Sequence, residues 1–276
     1  MKNHSMEHIT FGNCFKGAWK DVWLMLLNKP MMILIASIVL SFVSYIQINL
    51  QQMLAIAVAG SPNSEHRGLS LTLSLCVIII SVIASVISVQ MMRYSLLGAG
   101  PARSRGLFDE GFFGYMGLCF LIGLAVVVFF AGVVPTAVIV WGIILVKLGY
   151  GAHILLFASV FGIAAFSAVF FVCVRLTLLF CHVAVGRGLH WRAAWRDTHG
   201  HVWSIWGTHL VTCLPIVVAV AIGGYLTGHN AIAHPSSAMQ RSFWAVFQAI
   251  GAIITVSVNA SSSAWQYRRY ADQILK

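Results

Sequence analysis

Six stretches of this chain contain no Asp, Glu, Lys or Arg: between Lys29 and Glu65, Arg67 and Arg93, Glu110 and Lys147, Lys147 and Arg175, Asp197 and Arg241, and Arg241 and Arg268. Each exceeds the ~20 apolar residues that carry a helix across ~30 Å of hydrocarbon, where only helices and closed barrels satisfy every backbone group. Barrel strands alternate apolar and polar residues, whereas "LCVIIISVIASVISVQMM" and "FLIGLAVVVFFAGVV" are apolar on all sides. The expected fold is therefore all-α and polytopic, with six transmembrane helices in a single membrane domain over residues 1–276. Composition agrees, since 59% of residues are hydrophobic and only 9% charged, far from a soluble domain.

The cations fall on one side of this layout. Lys2, Lys16, Lys20 and Lys29 precede the first span, Arg93, Arg103 and Arg105 close the second, Arg175, Arg187, Arg192 and Arg196 close the fourth, and Arg268, Arg269 and Lys276 close the sixth. Only Arg67, Lys147 and Arg241 lie opposite. A bias of fourteen to three places both termini in the cytoplasm of a bacterial inner membrane. No removable signal peptide is read at the start. The net charge of +10 then meets anionic lipid headgroups rather than nucleic acid. No C-x-x-C occurs among the six cysteines, so neither disulfides nor structural zinc are expected.

The chain also repeats itself. "FKGAWKD" (15–21) returns as "WRAAWRD" (191–197), and at the same shift Arg93-Tyr94 falls on Arg269-Tyr270. A second shift lays "RYSLLGAGPARSRGL" (93–107) on "RLTLLFCHVAVGRGL" (175–189), matching Arg93 with Arg175 and Arg105 with Arg187. These matches predict three parallel units, about 8–100, 105–182 and 187–272, each an interfacial segment followed by a helical hairpin. The middle unit has "FFGY" (112–115) in place of "AWKD". In the first unit Phe11, Phe15, Trp19 and Trp23 form a stripe at spacing four; in the third, Trp191 and Trp195 do so, with Arg192 and Arg196 on another side. Trp prefers the headgroup level, so Trp19, Trp23, Trp191 and Trp195 are expected to anchor amphipathic helices in the cytoplasmic interface.

Three readings of function follow from the residues. Arg93, Arg175 and Arg269, with Arg105 and Arg187, could ring the repeat axis and hold an anionic headgroup, because guanidinium forks onto phosphate; the plainer alternative is snorkelling anchors that set depth. Pro135 and Pro215 lie at nearly matching points of two units, and their kinks could outline a cavity for a transported solute, or simply serve packing. His182, His190, His199, His201 and His209 cluster around the third unit and suggest haem or metal, although interfacial histidine without convergent donors is the simpler account. The charge-free windows hold no carboxylate for a proton relay or an aspartyl protease, and no G-x-S-x-G, H-E-x-x-H or P-loop occurs. The expectation is a non-catalytic protein with no cofactor and no bound metal. Its partners would be membrane lipids, with a homo-oligomer or another membrane subunit left open.

The segment "RLTLLFCHVAVGRGLHWRAAWRDTHGHVWSIWG" (175–207), with "FKGAWKD" and "YRRYAD" (267–272), resembles the six-helix membrane domain fused to some bacterial glycerophosphoryl diester phosphodiesterases, and its stand-alone relatives. The resemblance implies an inner-membrane protein concerned with envelope or lipid homeostasis. No catalytic residue is expected from it, since residues 1–276 read as membrane domain alone.

Overall fold

The computed structural model describes residues 10–60, 66–104, 106–147, 154–226, 238–271 and 274, which form helices joined by short turns with no strand among them. Eighteen residues form α1 (Phe11–Asn28), whose first turn is capped by the Thr10 hydroxyl accepting from the Asn13 amide at 3.3 Å. Lys29 interrupts the helix because Pro30, the first residue of α2 (Pro30–Gly60), disfavours helical geometry in the residue before it. Then come α3 (His66–Leu97), α4 (Ala99–Ser104) and α5 (Glu110–Val128), the last capped by the Asp109 carboxylate on the Phe112 amide. A π-helical turn, Phe129–Val133, joins α5 to α6 (Val134–Lys147). The chain continues through α7 (Ile154–Ala184), α8 (Trp191–Asp197), α9 (Val202–Leu226) and α10 (Ala238–Tyr270).

Six helical segments are long and apolar enough to cross a membrane: Pro30–Leu54, Gly68–Leu97, Glu110–Ile144, Leu156–Ala184, Val202–Gly223 and Ala238–Tyr270. They correspond to the six charge-free windows. In the third span the π turn ends two residues before Pro135, and the Val134 amide bonds the Phe129 carbonyl five residues back, so the irregularity falls beside the proline.

Side-chain contacts fix which ends of the spans meet. Arg93, near the end of α3, reaches the start of α5 and the end of α7. The His182 ring near the end of α7 lies 2.8 Å from the Tyr267 hydroxyl near the end of α10, and Ser204 at the start of α9 is 2.8 Å from the Tyr270 hydroxyl. Asn28, at the end of α1, donates to the Tyr94 hydroxyl at 2.9 Å. One end of the bundle therefore gathers the starts of α2, α5 and α9 with the ends of α3, α7 and α10, and it is the end that holds Arg93, Arg175 and Arg268–Arg269.

The central element is α10, which packs against α1, α2, α3, α7 and α9. Its buried stripe is small and hydroxylic, Ser257, Val258 and Ala260–Ala264, so neighbouring backbones approach closely. Ser95 and Ser261 hydroxyls meet at 3.2 Å across the α3–α10 seam. On α1 the buried face is also small, Cys14, Gly17, Ala18, Val22 and Met25, rather than aromatic. A Cβ on Gly17 would stand 2.3 Å from the Trp265 ring, so only glycine lets α1 seat on α10.

Candidate functional site

The arginines of the basic end mostly bond backbone carbonyls and aromatic rings of the protein itself. Arg93 is fully buried. Its Nε donates to the Ala184 carbonyl at 2.7 Å, Nη1 to the Gly106 carbonyl at 3.1 Å, and Nη2 to Asp109, with which it forms an ion pair. Asp109 caps α5 at the same time, so one arginine locks three elements. Close approach is built in, since a Cβ on Gly111 would sit 2.8 Å from Arg93 Nη2. Burial of a guanidinium is tolerable only with a counter-charge and occupied donors, and both are present.

Arg175 is nearly buried, at 7% exposure, but is held differently. Its guanidinium lies between the Phe171 and Trp195 rings, 5.0 and 4.6 Å from their centroids, and Nη1 donates to the Trp195 carbonyl at 3.0 Å. A cation between two ring faces is stabilised by about 0.5–2 kcal/mol per ring. Arg269 lies over the Tyr270 ring at 5.0 Å and also beside Cys14, where it partly offsets the upward push that burial gives the thiol. Arg268 stacks on Trp265 and donates to the Ser95 carbonyl. Arg187 is exposed on the loop after α7. Of the arginines read as a ring, Arg93 and Arg175 turn inward to different partners, Arg187 is exposed, Arg269 is half-buried, and Arg105 lies outside the described residues.

The repeated aspartates are used in the same manner. Asp21 of "AWKD" accepts from the Trp265 indole at 3.0 Å, and Asp197 of "AWRD" accepts from the Ile274 amide at 2.9 Å. Each fastens its segment to the end of α10 or just past it.

The tryptophans divide. Trp23 and Trp191 are 64% and 65% exposed and Trp195 40%, as interfacial residues require. Trp19 instead turns into the bundle, where its indole donates to the Thr212 carbonyl at 3.2 Å, three residues before Pro215 in α9. Pro215 lacks the N–H that would bond the Val211 carbonyl, so the indole meets α9 one residue beyond the carbonyl the proline frees. Among the histidines, His201 stacks on Tyr270 at 4.7 Å, His190 lies 5.4 Å from His182, and His199 is exposed. No three His, Cys, Asp or Glu side chains among the described residues converge as metal ligands would.

Below the basic end lies an open groove of about 650 Å³ between α3, α5, α7, α9 and α10. Its walls are chiefly apolar, with Phe170, Phe180, Trp206, Leu210, Val217 and Val256. A few polar groups face it: Ser88, Tyr115, Thr177, His209, Asn259 and Ser263. Cys213 donates to Asn259 at 3.1 Å, and Asn259 and Gln266 stand beside the His209 ring. Neither Pro135 nor Pro215 is among the lining residues, although Cys213 and Val217 bracket the second. Size and lining match a site for a small amphiphile. Sequence reasoning missed this groove, whose only trace in the sequence is polar residues one or two turns inside the basic ends of several spans.

The chain is a multi-pass membrane protein. No family model, no curated protein and no solved structure matches it.

Proposed function

We propose that this protein is a non-catalytic membrane protein that holds a lipid-like amphiphile, its apolar part in the groove and its polar part at the basic end. The observation that carries the reading is the groove itself: open, mainly apolar, with a sparse set of hydrogen-bonding groups, running below Arg93 and past the level of Arg175. Ser88 lies five residues inside Arg93 on α3, and Thr177 two residues past Arg175 on α7, so the polar floor is within one to two turns of the cations. The cation asymmetry supports an orientation with the basic end in the cytoplasm of a bacterial inner membrane. The resemblance to the membrane domain of glycerophosphoryl diester phosphodiesterases favours a role in envelope lipid homeostasis. The three-unit sequence repeat supports descent of the three hairpins from one ancestor.

The arginines divide the labour in this reading. Arg93 and Arg175 hold the helices in register, and the exposed Arg187 and half-buried Arg269 meet the ligand. The test is a lipid inventory of protein purified in mild detergent, compared with Leu210→Trp at the groove rim and Cys173→Phe in its wall. A fall of at least fivefold in co-purified lipid in both variants, with monodispersity kept, is the expected result. An unchanged inventory in both would refute the proposal.

A further inference from the structure

The seam between α9 and α10 carries much of the polar wall of the groove, and three bonds fix its register. Ser204 lies 2.8 Å from the Tyr270 hydroxyl, the Gln266 amide donates to the Ile205 carbonyl at 3.0 Å, and the Cys213 thiol donates to Asn259 Oδ1 at 3.1 Å. The two helices run antiparallel. One turn back from Cys213 on α9 and one turn on from Asn259 on α10 therefore bring His209 level with Ser263. Both residues line the groove, about 10 Å below Tyr270 along the α10 axis. The seam is bonded above and below this level, but His209 and Ser263 do not bond each other.

Hydrogen-bond accounting shows what the level can still hold. The Ser263 hydroxyl gives its hydrogen to the Asn259 carbonyl of its own helix at 2.9 Å, so its oxygen is left as an acceptor. Asn259 Oδ1 is taken by the Cys213 thiol, and its amide N–H groups remain to donate. His209 Nδ1 is buried with no partner in the chain, and it donates or accepts according to the tautomer. A hydroxyl answers all three, because it donates once and accepts twice. A carbonyl would have nothing to give Ser263, and an ammonium nothing to receive from Asn259. No Asp, Glu, Lys or Arg lines the groove, so a charged group at this depth would have no counter-charge.

We infer that His209, Asn259 and Ser263 form an uncharged subsite in the groove wall that takes the free hydroxyl of a glycerol-based amphiphile. The inference rests on the amphiphile reading above and narrows its ligand class. A hydroxyl seated below the basic end and among apolar walls belongs to the part of a ligand that joins its chain to its headgroup. In a glycerol lipid, that place is an unesterified position of the glycerol.

The experiment uses full-length protein stripped of lipid in mild detergent and titrated in native mass spectrometry with two lipids. One is 1-oleoyl lysophosphatidic acid, and the other is its 2-deoxy analogue, which differs only by the missing hydroxyl. The parent should bind the hydroxyl lipid about fivefold tighter, the ratio that one net hydrogen bond gives. The variants are His209→Leu and Ser263→Ala, the second a small change in a stretch already built of Ser and Ala. Loss of the preference in either variant, with affinity for the deoxy lipid unchanged, is the expected result. If His209→Leu does not stay monodisperse, Ser263→Ala decides. Equal binding of the two lipids by the parent would overturn the hydroxyl subsite and leave the groove reading standing. A preference kept in both variants would place the hydroxyl elsewhere and overturn the subsite as well. Failure of the parent to bind either lipid would overturn the subsite and the amphiphile reading together.

Discussion

The Arg93 knot is the most decisive place to perturb. Arg93→Met removes an ion pair and two bonds to carbonyl oxygens while keeping most of the side-chain volume. Removing one partner of a buried pair costs about 3–5 kcal/mol, but the Asp109 side chain is 30% exposed and can recover some hydration, so roughly 2–3 kcal/mol is the discounted figure. The Ala184 and Gly106 carbonyls lose a charged donor as well, adding about 1 kcal/mol at the one that is buried. The total is about 3–4 kcal/mol. Asp109→Asn retains a good helix cap and removes only the counter-charge, for about 2 kcal/mol. The double variant should fall short of the sum by about 1–2 kcal/mol, because either change alone already breaks the pair. The assay is equilibrium unfolding in mixed micelles, with co-purified lipid measured on the same samples. Arg93→Met within about 1 kcal/mol of the parent, or one that loses lipid at unchanged stability, would refute the strut and restore Arg93 as a headgroup ligand.

Other outcomes follow from the seat of α1. Gly17→Ala places a methyl against the Trp265 ring and should destabilise by about 1–3 kcal/mol, with protease cleavage between α1 and α2 accelerated. Trp19→Phe keeps the packing and loses the indole bond to Thr212, for about 1 kcal/mol in the same unfolding assay. Burial raises the Cys14 thiol above its ordinary range and Arg269 pulls it partly back. Maleimide labelling at pH 7 should therefore be slow, rise only as the pH passes the usual thiol range, and slow further in Arg269→Gln; labelling at the rate of a free thiol would contradict the burial.

The span count was legible because bilayer thickness fixes helix length and charge fixes where a helix must stop. The partners of the arginines were not. Arg93 at the mouth of a span reads identically whether it snorkels outward or folds inward, and the residue that decides, Asp109, is sixteen positions away beyond a glycine-rich turn. The packing face of α1 was not visible for a related reason, and of its aromatic stripe only Trp19 departs from the expected interfacial place by turning inward. Its Phe11–Phe15–Trp19–Trp23 stripe is the more conspicuous pattern, yet Phe11 and Trp23 are exposed, and the small stripe Cys14–Ala18–Val22–Met25 is the one that packs. In water an apolar stripe marks the core, whereas beside lipid bulk faces outward and smallness marks contact. The hydroxyl-rich stretch "NASSSA" (259–264) carried the same signal for α10. The groove needs five helices in place before it exists, so no local pattern describes it.

Because α10 follows every one of its neighbours in the sequence, the earlier spans must wait for it during synthesis. At about 5–20 residues per second, translation from Leu97 to Ala238 takes on the order of 10–30 s, and for that time the sides of α2 and α3 destined for α10 are without it. Assembly is thus timed by the final span, and any quality-control factor that recognises an unfinished bundle has that interval in which to act.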